Sequence, residues 1–517
     1  MSETLGLLGV PVELFKVEEG AAGIESRAET ATKRIKPIDR NQTFLRSIDI
    51  EKLVEADHPA RGIWAMVSRL DMRRLEEPIK AVSGRAGQSR IDPRLLMSLW
   101  IYGYSQGVSS AREISRMCEY EPGCQWLTGM KSVNYHTLSD FRSTHREALN
   151  EIFVQVLGLL SAQGLCEMKR VMQDGTKVRA HAKAGSFRRL KRVEEHLKLA
   201  REQVEAMESA DTEELNQRAA QARRRVLREK QERLEMALKE LTALQESRIL
   251  SERDKVRVSE TDPEARVMKQ ADGGFRPSYN VQISTEASNG IIVAVEVTQS
   301  GNDFDELAEG IQRVETNTGQ SPEQVVVDGG YVKNANIERM AQKGIDLIAP
   351  VPKSNVDASF QKRGVEREFY ADRFRYDERA DHFICPVGKV LSLKQTAHRE
   401  GRIETSYQAA ASDCETCPLR QQCCPKTSAR SILRREDSEA VKAFRTKMET
   451  ESAKQIYRTR AQIAEFPNAW IKEKLGLRQF RLRGRYKVAA EAIWACLTHN
   501  IQQWMRLVWR PSMEAAK

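Results

Sequence analysis

Between about Ile48 and Gly164 apolar residues recur every three or four positions, the spacing of amphipathic helices joined by short polar breaks. Asp92-Pro93 predicts a helix start, with Asp as N-cap and Pro at the first helical position, where its missing N–H does no harm. Leu95, Leu96, Leu99 and Trp100 then share one face, and Gly107 ends the helix. Ser110 to Glu113 reads as a capping box for the next helix. A third helix is expected from Thr137 through LSDFRSTHREAL, with Arg142, His145 and Arg146 facing outward. Such short helices suit a helix-turn-helix that meets a DNA groove through Arg142, or, more plainly, a small bundle with a solvated basic face.

After Gly164 the period changes. Lys169–Gln173 is expected to be a strand that ends at Asp174-Gly175, followed by the basic run TKVRAHAK. In that run His181 reads as a polar contact, since no partner His or Cys stands at ligand spacing. Residues 186–250 contain no Pro or Gly, and Leu234, Leu238 and Leu241 fall on one helical stripe. They predict a helical hairpin or coiled-coil arm, broken near Ser209–Thr212. Strands resume at Tyr279–Ser284 and Ile291–Thr298, with a turn at Ser288-Asn289-Gly290. Asp303 and Asp305 introduce a helix to about Thr318, Val325–Val327 forms a strand, Ala335–Lys343 a helix and Ile345–Ala349 a last strand.

The stretch Gln324–Tyr331, QVVVDGGY, describes a buried strand that stops and leaves the carboxylate of Asp328 at its end. Binding sites of open sheets gather at such ends, although Asp-Gly is also ordinary turn chemistry. The predicted fold class is an α/β core on a mixed five-stranded sheet, with an all-α N-terminal domain and two insertions. A central parallel pair would make Asp174 and Asp328 neighbours. Two adjacent carboxylates cannot both stay ionised cheaply unless a divalent cation neutralises them.

The chain has 517 residues, which suggests about three domains. The expected divisions are a lead over 1–45, a helical DNA-binding domain over 46–164, core strands over 165–185 and 251–350, the hairpin over 186–250, a Cys-rich insertion over 351–450 and a helical C-terminal part over 451–517. A net charge of +10 points to a nucleic-acid partner. The start MSETLGLLGVPVELF lacks the features of a signal peptide, and no apolar run is long enough to span a membrane, so no membrane association and a cytoplasmic location are expected. Nine cysteines fit a reducing compartment. Cys385, Cys414, Cys417 and Cys423 are candidate ligands of a structural Zn²⁺, with Cys424 an alternate and unligated thiols the other reading. Near the C-terminus, Tyr457, Arg460, Glu465 and Lys472 lie along one helical segment, with Pro467 expected to kink it. The run Arg478, Arg481, Arg483, Arg485 and Lys487, interleaved with Phe480 and Tyr486, suits a phosphate backbone.

Together TLSDFR, VMQDGT, DPEARVMK leading into YNVQ, VVVDGGY, CPVGK with CETCPLRQQC and the Tyr-Arg-Glu-Lys series resemble a bacterial insertion-sequence transposase of the DDE type, with a ribonuclease-H-like catalytic core. The resemblance covers most of the chain. It implies that Asp174, Asp328 and Glu465 bind two Mg²⁺ ions, with Mn²⁺ able to substitute, and that these ions clamp an in-line phosphoryl displacement. Water would nick the element end, and the freed 3′-OH would then attack target DNA. Tyr457, Arg460 and Lys472 would grip phosphates near the cleaved end, with Arg142, Arg481 and Arg483 as further DNA contacts. The implied partners are double-stranded DNA, as terminal inverted repeats and target, and a second copy of the chain, acting at the nucleoid. One departure stands out: four residues separate Arg460 from Glu465, where many relatives have three, so Glu473 and Glu491 remain lesser candidates. The competing expectations are a catalytically silent DNA-binding relative and a metal-dependent nuclease that cuts without joining.

Overall fold

The structure, a computed structural model, describes residues 40, 41, 43, 45, 47–81, 89–209, 217–351, 360–399 and 402–515. The expected lead over 1–45 and the break after Ser209 lie almost wholly outside them. The apolar runs after Gly164 pair into a mixed sheet built from β1 (Arg170–Arg179), β2 (Arg266–Lys269), β3 (Phe275–Glu286), β4 (Ile292–Thr298), β5 (Gln324–Val326) and β6 (Asp346–Ile348). The order is β2–β3–β1–β5–β6, with β4 also on β3; β1 is antiparallel to β3 and parallel to β5, and β5 is parallel to β6. The sheet has six strands, not the expected five, because Arg266–Lys269 adds an edge segment along Phe275–Ser278.

Asp174 does not end its strand. β5 leaves β1 at the Met172↔Val326 pair, whereas β3 stays paired through Asp174↔Ile283 and Gly175↔Gln282 as far as Arg179↔Ser278. Asp-Gly reads as a turn in isolation, but continued pairing on one side keeps it extended. Asp174 therefore sits where its neighbour stops.

The N-terminal helices begin as their caps dictate. In α1 (Pro59–Val67) and α2 (Pro93–Ser105) a Pro occupies the first turn, and Asp92 accepts from Arg94 N at 2.8 Å. Then follow α3 (Ala111–Tyr120), α4 (Pro122–Thr128), α5 (Tyr135–Thr144) and α6 (Arg146–Ala162). The third expected helix is thus two, parted at His145, and α5 starts earlier, where Asn134 accepts from His136 N. These helices share one continuous apolar core with β1, β3, β4 and the late helix α14 (Arg485–Trp504), and Asp49–Lys517 form one compact unit. From Val488 to Ile501 every residue of α14 is buried. Asn500 closes the free edge of β4 with two 2.8 Å bonds to the backbone of Ile292.

The outward position expected for Arg142 is wrong. Its side chain is buried, donates to Ser109 O at 2.8 Å, lies 4.6 Å from the Trp100 ring and faces Glu491 at 3.9 Å. A buried carboxylate needs a counter-charge, and α5 turns Arg142 inward to provide it. His145 and Arg146 are half-buried, against Phe141 and over Tyr486.

The helical insertion forms α7 (Leu190–Ser209) and α8 (Gln217–Glu246), packed on each other through Val193, Leu197, Leu234 and Leu241. Helix α9 (Glu306–Thr318) lies on the sheet, and α10 (Asn334–Gln342) joins β5 to β6. The cysteine-bearing region holds an unforeseen second sheet of five antiparallel strands: β7 (Arg375–Asp377), β8 (His382–Ile384), β9 (Val390–Arg399), β10 (Arg402–Ala409) and β11 (Ser431–Asp437). Helices α11 (Glu439–Glu449), α12 (Glu451–Arg458) and α13 (Phe466–Glu473) then precede α14.

Candidate active site

Three segments far apart in sequence converge where β5 ends. Asp328 stands two residues past the last residue of β5, and its carboxylate folds back to accept from Gly330 N at 2.8 Å. A Cβ on Gly330 would lie 2.9 Å from Asp328 Oδ1, so glycine is what permits that approach. Asp174 projects from β1 alongside it. The third segment supplies Arg460, whose guanidinium touches all three candidate acids: 2.8 Å to Asp174 Oδ1, 3.3 Å to Glu465 Oε1 and 4.0 Å to Asp328 Oδ2.

The spacing anomaly between Arg460 and Glu465 has a local cause. Ala461–Glu465 form a π-helical turn between α12 and α13. Such a turn bonds i to i+5 and holds one residue more than an α turn, so Glu465 returns to the face of Arg460 despite the extra residue. Pro467 follows in the first turn of α13, where its missing N–H coincides with the already widened ladder. Asn468, one turn beyond Glu465, donates to Asp174 Oδ2 at 2.8 Å. The lesser candidates are placed elsewhere: Glu473 pairs with Arg478 on the surface, and Glu491 is buried in the helical core, accepting from Arg481 N and Leu482 N at 3.1 Å.

Burial pushes the Asp174 carboxyl above the ordinary aspartate range; Arg460 and Asn468 pull against that, while Asp328 and Asp303 reinforce it. Burial disfavours the Arg460 charge, yet Asp174, Asp328, Tyr457 and Glu465 together raise its pKa. Lys472 is half-buried and lowered by burial, with Asp174 opposing, so its ammonium feels the same cluster. The Tyr457 phenol is raised by burial, and the three acids add to that.

Two residues at the site escaped the sequence reading. In sequence Asp303 reads only as a helix opener, but its Oδ1 accepts from Gln282 Nε2 at 2.6 Å and Asn280 Nδ2 at 2.7 Å, and a Cβ on Gly175 would run into it. Asn468 carried a faint signal, three residues after Glu465 on one helix.

Arg481 and Arg483 are exposed, with side-chain bonds to Ser109 Oγ at 2.8 Å and His181 O at 3.3 Å. His181 donates from Nδ1 to Arg481 O at 2.8 Å, a polar contact as expected. Cys385, Cys414, Cys417, Cys423 and Cys424 line one cavity of about 30 Å³ beside the buried Arg430. Backbone N–H groups of Lys389 and Arg430 point at Cys385 Sγ (3.2 Å) and Cys414 Sγ (3.4 Å), and burial pushes the Cys423 thiol up to about 12.

Among the described residues, no group of three or more His, Cys, Asp or Glu side chains is drawn together closely enough to hold a metal ion. At the acids the charge standing between the carboxylates is Arg460. The donor set still suits a hard divalent cation in kind: carboxylate oxygens, with the buried and unpartnered Asn468 Oδ1 beside them.

Two family models match the chain. Transposase DDE domain matches residues 384–505, which include Tyr457, Arg460, Glu465 and Lys472, and Transposase domain (DUF772) matches residues 48–144. Asp174 and Asp328 lie outside both stretches. No curated protein matches the chain. No helix among the described residues is long and apolar enough to cross a membrane. The DDE transposase domain generally uses divalent metals. The two matched stretches contain TLSDFR and the Tyr-Arg-Glu-Lys series, and they identify the chain as one carrying the domains typical of bacterial insertion-sequence transposases.

Proposed function

We propose that this chain is an active DDE transposase that binds the ends of its element and carries out metal-dependent cleavage and strand transfer. The observation that carries this reading is the convergence of Asp174, Asp328 and Glu465 on one guanidinium from three distant segments. The strand order, with β4, β3 and β1 antiparallel and then β5 and β6 parallel, supports a ribonuclease-H-like core.

Bound Mg²⁺ or Mn²⁺ supplies charge neutralisation and activation of the attacking and leaving oxygens. Asp174, Asp328 and Glu465 would hold it. Asn468 fixes the rotamer of Asp174, and Gly330 fixes that of Asp328. Arg460, Lys472 and Tyr457 bind the phosphates of the cleaved end, while Arg481 and Arg483 meet backbone farther along the duplex. The helices over 46–164 take part in end recognition, through faces other than that of Arg142. Joining two element ends calls for a dimer. The chain works at the nucleoid.

Zinc in the thiol cavity belongs to the same proposal, with Cys385, Cys414, Cys417 and Cys423 as ligands. The N–H groups aimed at Cys385 and Cys414 support it, since such donors favour thiolates. Elemental analysis should find zinc in the purified protein, and a Cys417→Ser variant that keeps its full complement would contradict the assignment.

The functional test is purified protein with Mg²⁺ and a duplex ending in the element's inverted repeat. Asp174→Ala, Asp328→Ala and Glu465→Ala should each abolish cleavage and leave end binding intact. Cleavage without joined product would mark a nuclease, and binding without cleavage in the unaltered protein a silent relative.

A further inference from the structure

Arg460 stands where a divalent cation would have to neutralise the acids, yet it is also a natural phosphate ligand. A guanidinium is planar, weakly hydrated and suited to carboxylate and phosphate alike, so it can exchange one for the other. Only its contact with Asp174 is short; those with Glu465 and Asp328 are 3.3 and 4.0 Å. Two buried polar atoms at this spot have no partner. Arg460 Nε is a donor without an acceptor, and Asn468 Oδ1 is an acceptor without a donor. Leaving such atoms unpaired is costly. An incoming phosphate oxygen would satisfy the first, and a cation or its bound water the second.

We infer that Arg460 is an exchangeable counter-ion, held by the acids in the free protein and transferred to a phosphate of the DNA end, so that DNA and the divalent cation load the site cooperatively. The inference rests on the active site proposed above. Without DNA, a cation must displace Arg460 from Asp174 with no anion nearby to receive it. With DNA, the scissile region offers that anion and the acids fall vacant. The coupling is reciprocal, so the cation must tighten end binding by the same factor that DNA tightens cation binding.

The experiment is Mn²⁺ binding to the full-length protein, followed by the electron paramagnetic resonance signal of free Mn²⁺. It is run with and without a short duplex ending in the terminal repeat, and end binding is checked by fluorescence anisotropy. The same duplex with Asp174→Asn protein subtracts Mn²⁺ held by DNA alone. The unaltered protein should bind Mn²⁺ roughly 5–150-fold more tightly with the duplex, the usual range of coupling between sites. Arg460→Gln should bind Mn²⁺ more tightly than the unaltered protein without DNA, and the effect of DNA should collapse. Arg460→Lys, which keeps a charge but loses the fork, should fall between them and guards against a folding defect in the first variant. Equal Mn²⁺ affinity with and without DNA in the unaltered protein, or undiminished coupling in Arg460→Gln, overturns the inference while Mn²⁺ binding lost in Asp174→Asn leaves the active site standing. Mn²⁺ binding unaffected by Asp174→Asn would instead remove the proposed site itself.

Discussion

Arg142 in the helical core and Arg460 at the end of the sheet both set a guanidinium against carboxylate oxygens, but their surroundings differ. Arg142 and Glu491 are 5% and 0% exposed, Trp100 covers the guanidinium, and the backbone of Arg481 and Leu482 occupies the acid. Arg460 is 12% exposed, yet its partners Asp328 and Glu465 are 39% and 58% exposed and have room for other ligands. Each arginine leaves its Nε unpaired. At Arg142 the aromatic face closes over the guanidinium, whereas beside Arg460 the acids Asp328 and Glu465 are open to solvent. One pair is a permanent strut of the fold; the other faces the place where a charged substrate would arrive.

The largest effect that separates the two regions should come from Asp328→Ala. Cleavage should fall by more than the roughly 10–100-fold that loss of a mere supporting residue costs a metal site, with no drop in melting temperature. Arg142→Ala should behave in the opposite way. It strands Glu491 without its counter-charge in a dry core, a loss of about 3–5 kcal/mol that urea unfolding would register. His499 probes the same core through pH. Burial, with Arg506 adding and the bond to Gly290 O opposing, pushes its imidazole down to about 4. The unfolded chain takes the proton near the ordinary value of about 6.5, so stability present above that value is lost as pH falls through it toward 4. The loss should approach about 3 kcal/mol, and His499→Gln should flatten the profile. Arg460→Ala should cost about 1 kcal/mol or less in unfolding, since Asp328 and Glu465 are open to water and the half-buried Asp174 can take a proton. Deleting Gln462 should do least. It turns the π segment into an α turn, keeps Glu465 on the face of Arg460, and should leave cleavage within about tenfold of the unaltered protein.

What was legible in the sequence follows from period and capping. The valines before Asp328, the apolar stretch of β4 and the Asp92-Pro93 start each carry local signals that tertiary structure did not override. The neighbourhood of Asp174 and Asp328 followed from one topological step, the parallel pairing of β1 with β5. The misreadings share a cause: they depended on partners distant in sequence. Arg142 looks solvent-facing until Glu491 arrives from α14, and Asp303 looks like a cap until Gln282 and Asn280 reach it from β3. The second sheet is not legible in the sequence because its faces are mixed. Leu391 and Tyr407 are buried while Leu393 and Ile403 are exposed, so apolar alternation does not mark one side cleanly. The extra residue before Glu465 reads in sequence as a departure from the pattern the chain resembles, and only the π turn shows how the helix absorbs it.

Anomalous diffraction from crystals grown with Mn²⁺ and a duplex ending in the terminal repeat is the most direct measurement of the proposed chemistry. It should place manganese against Asp174, Asp328 and Glu465, with the Arg460 guanidinium on a DNA phosphate. A duplex seated at this site with Arg460 still between the acids, and manganese bound elsewhere or not at all, would contradict it.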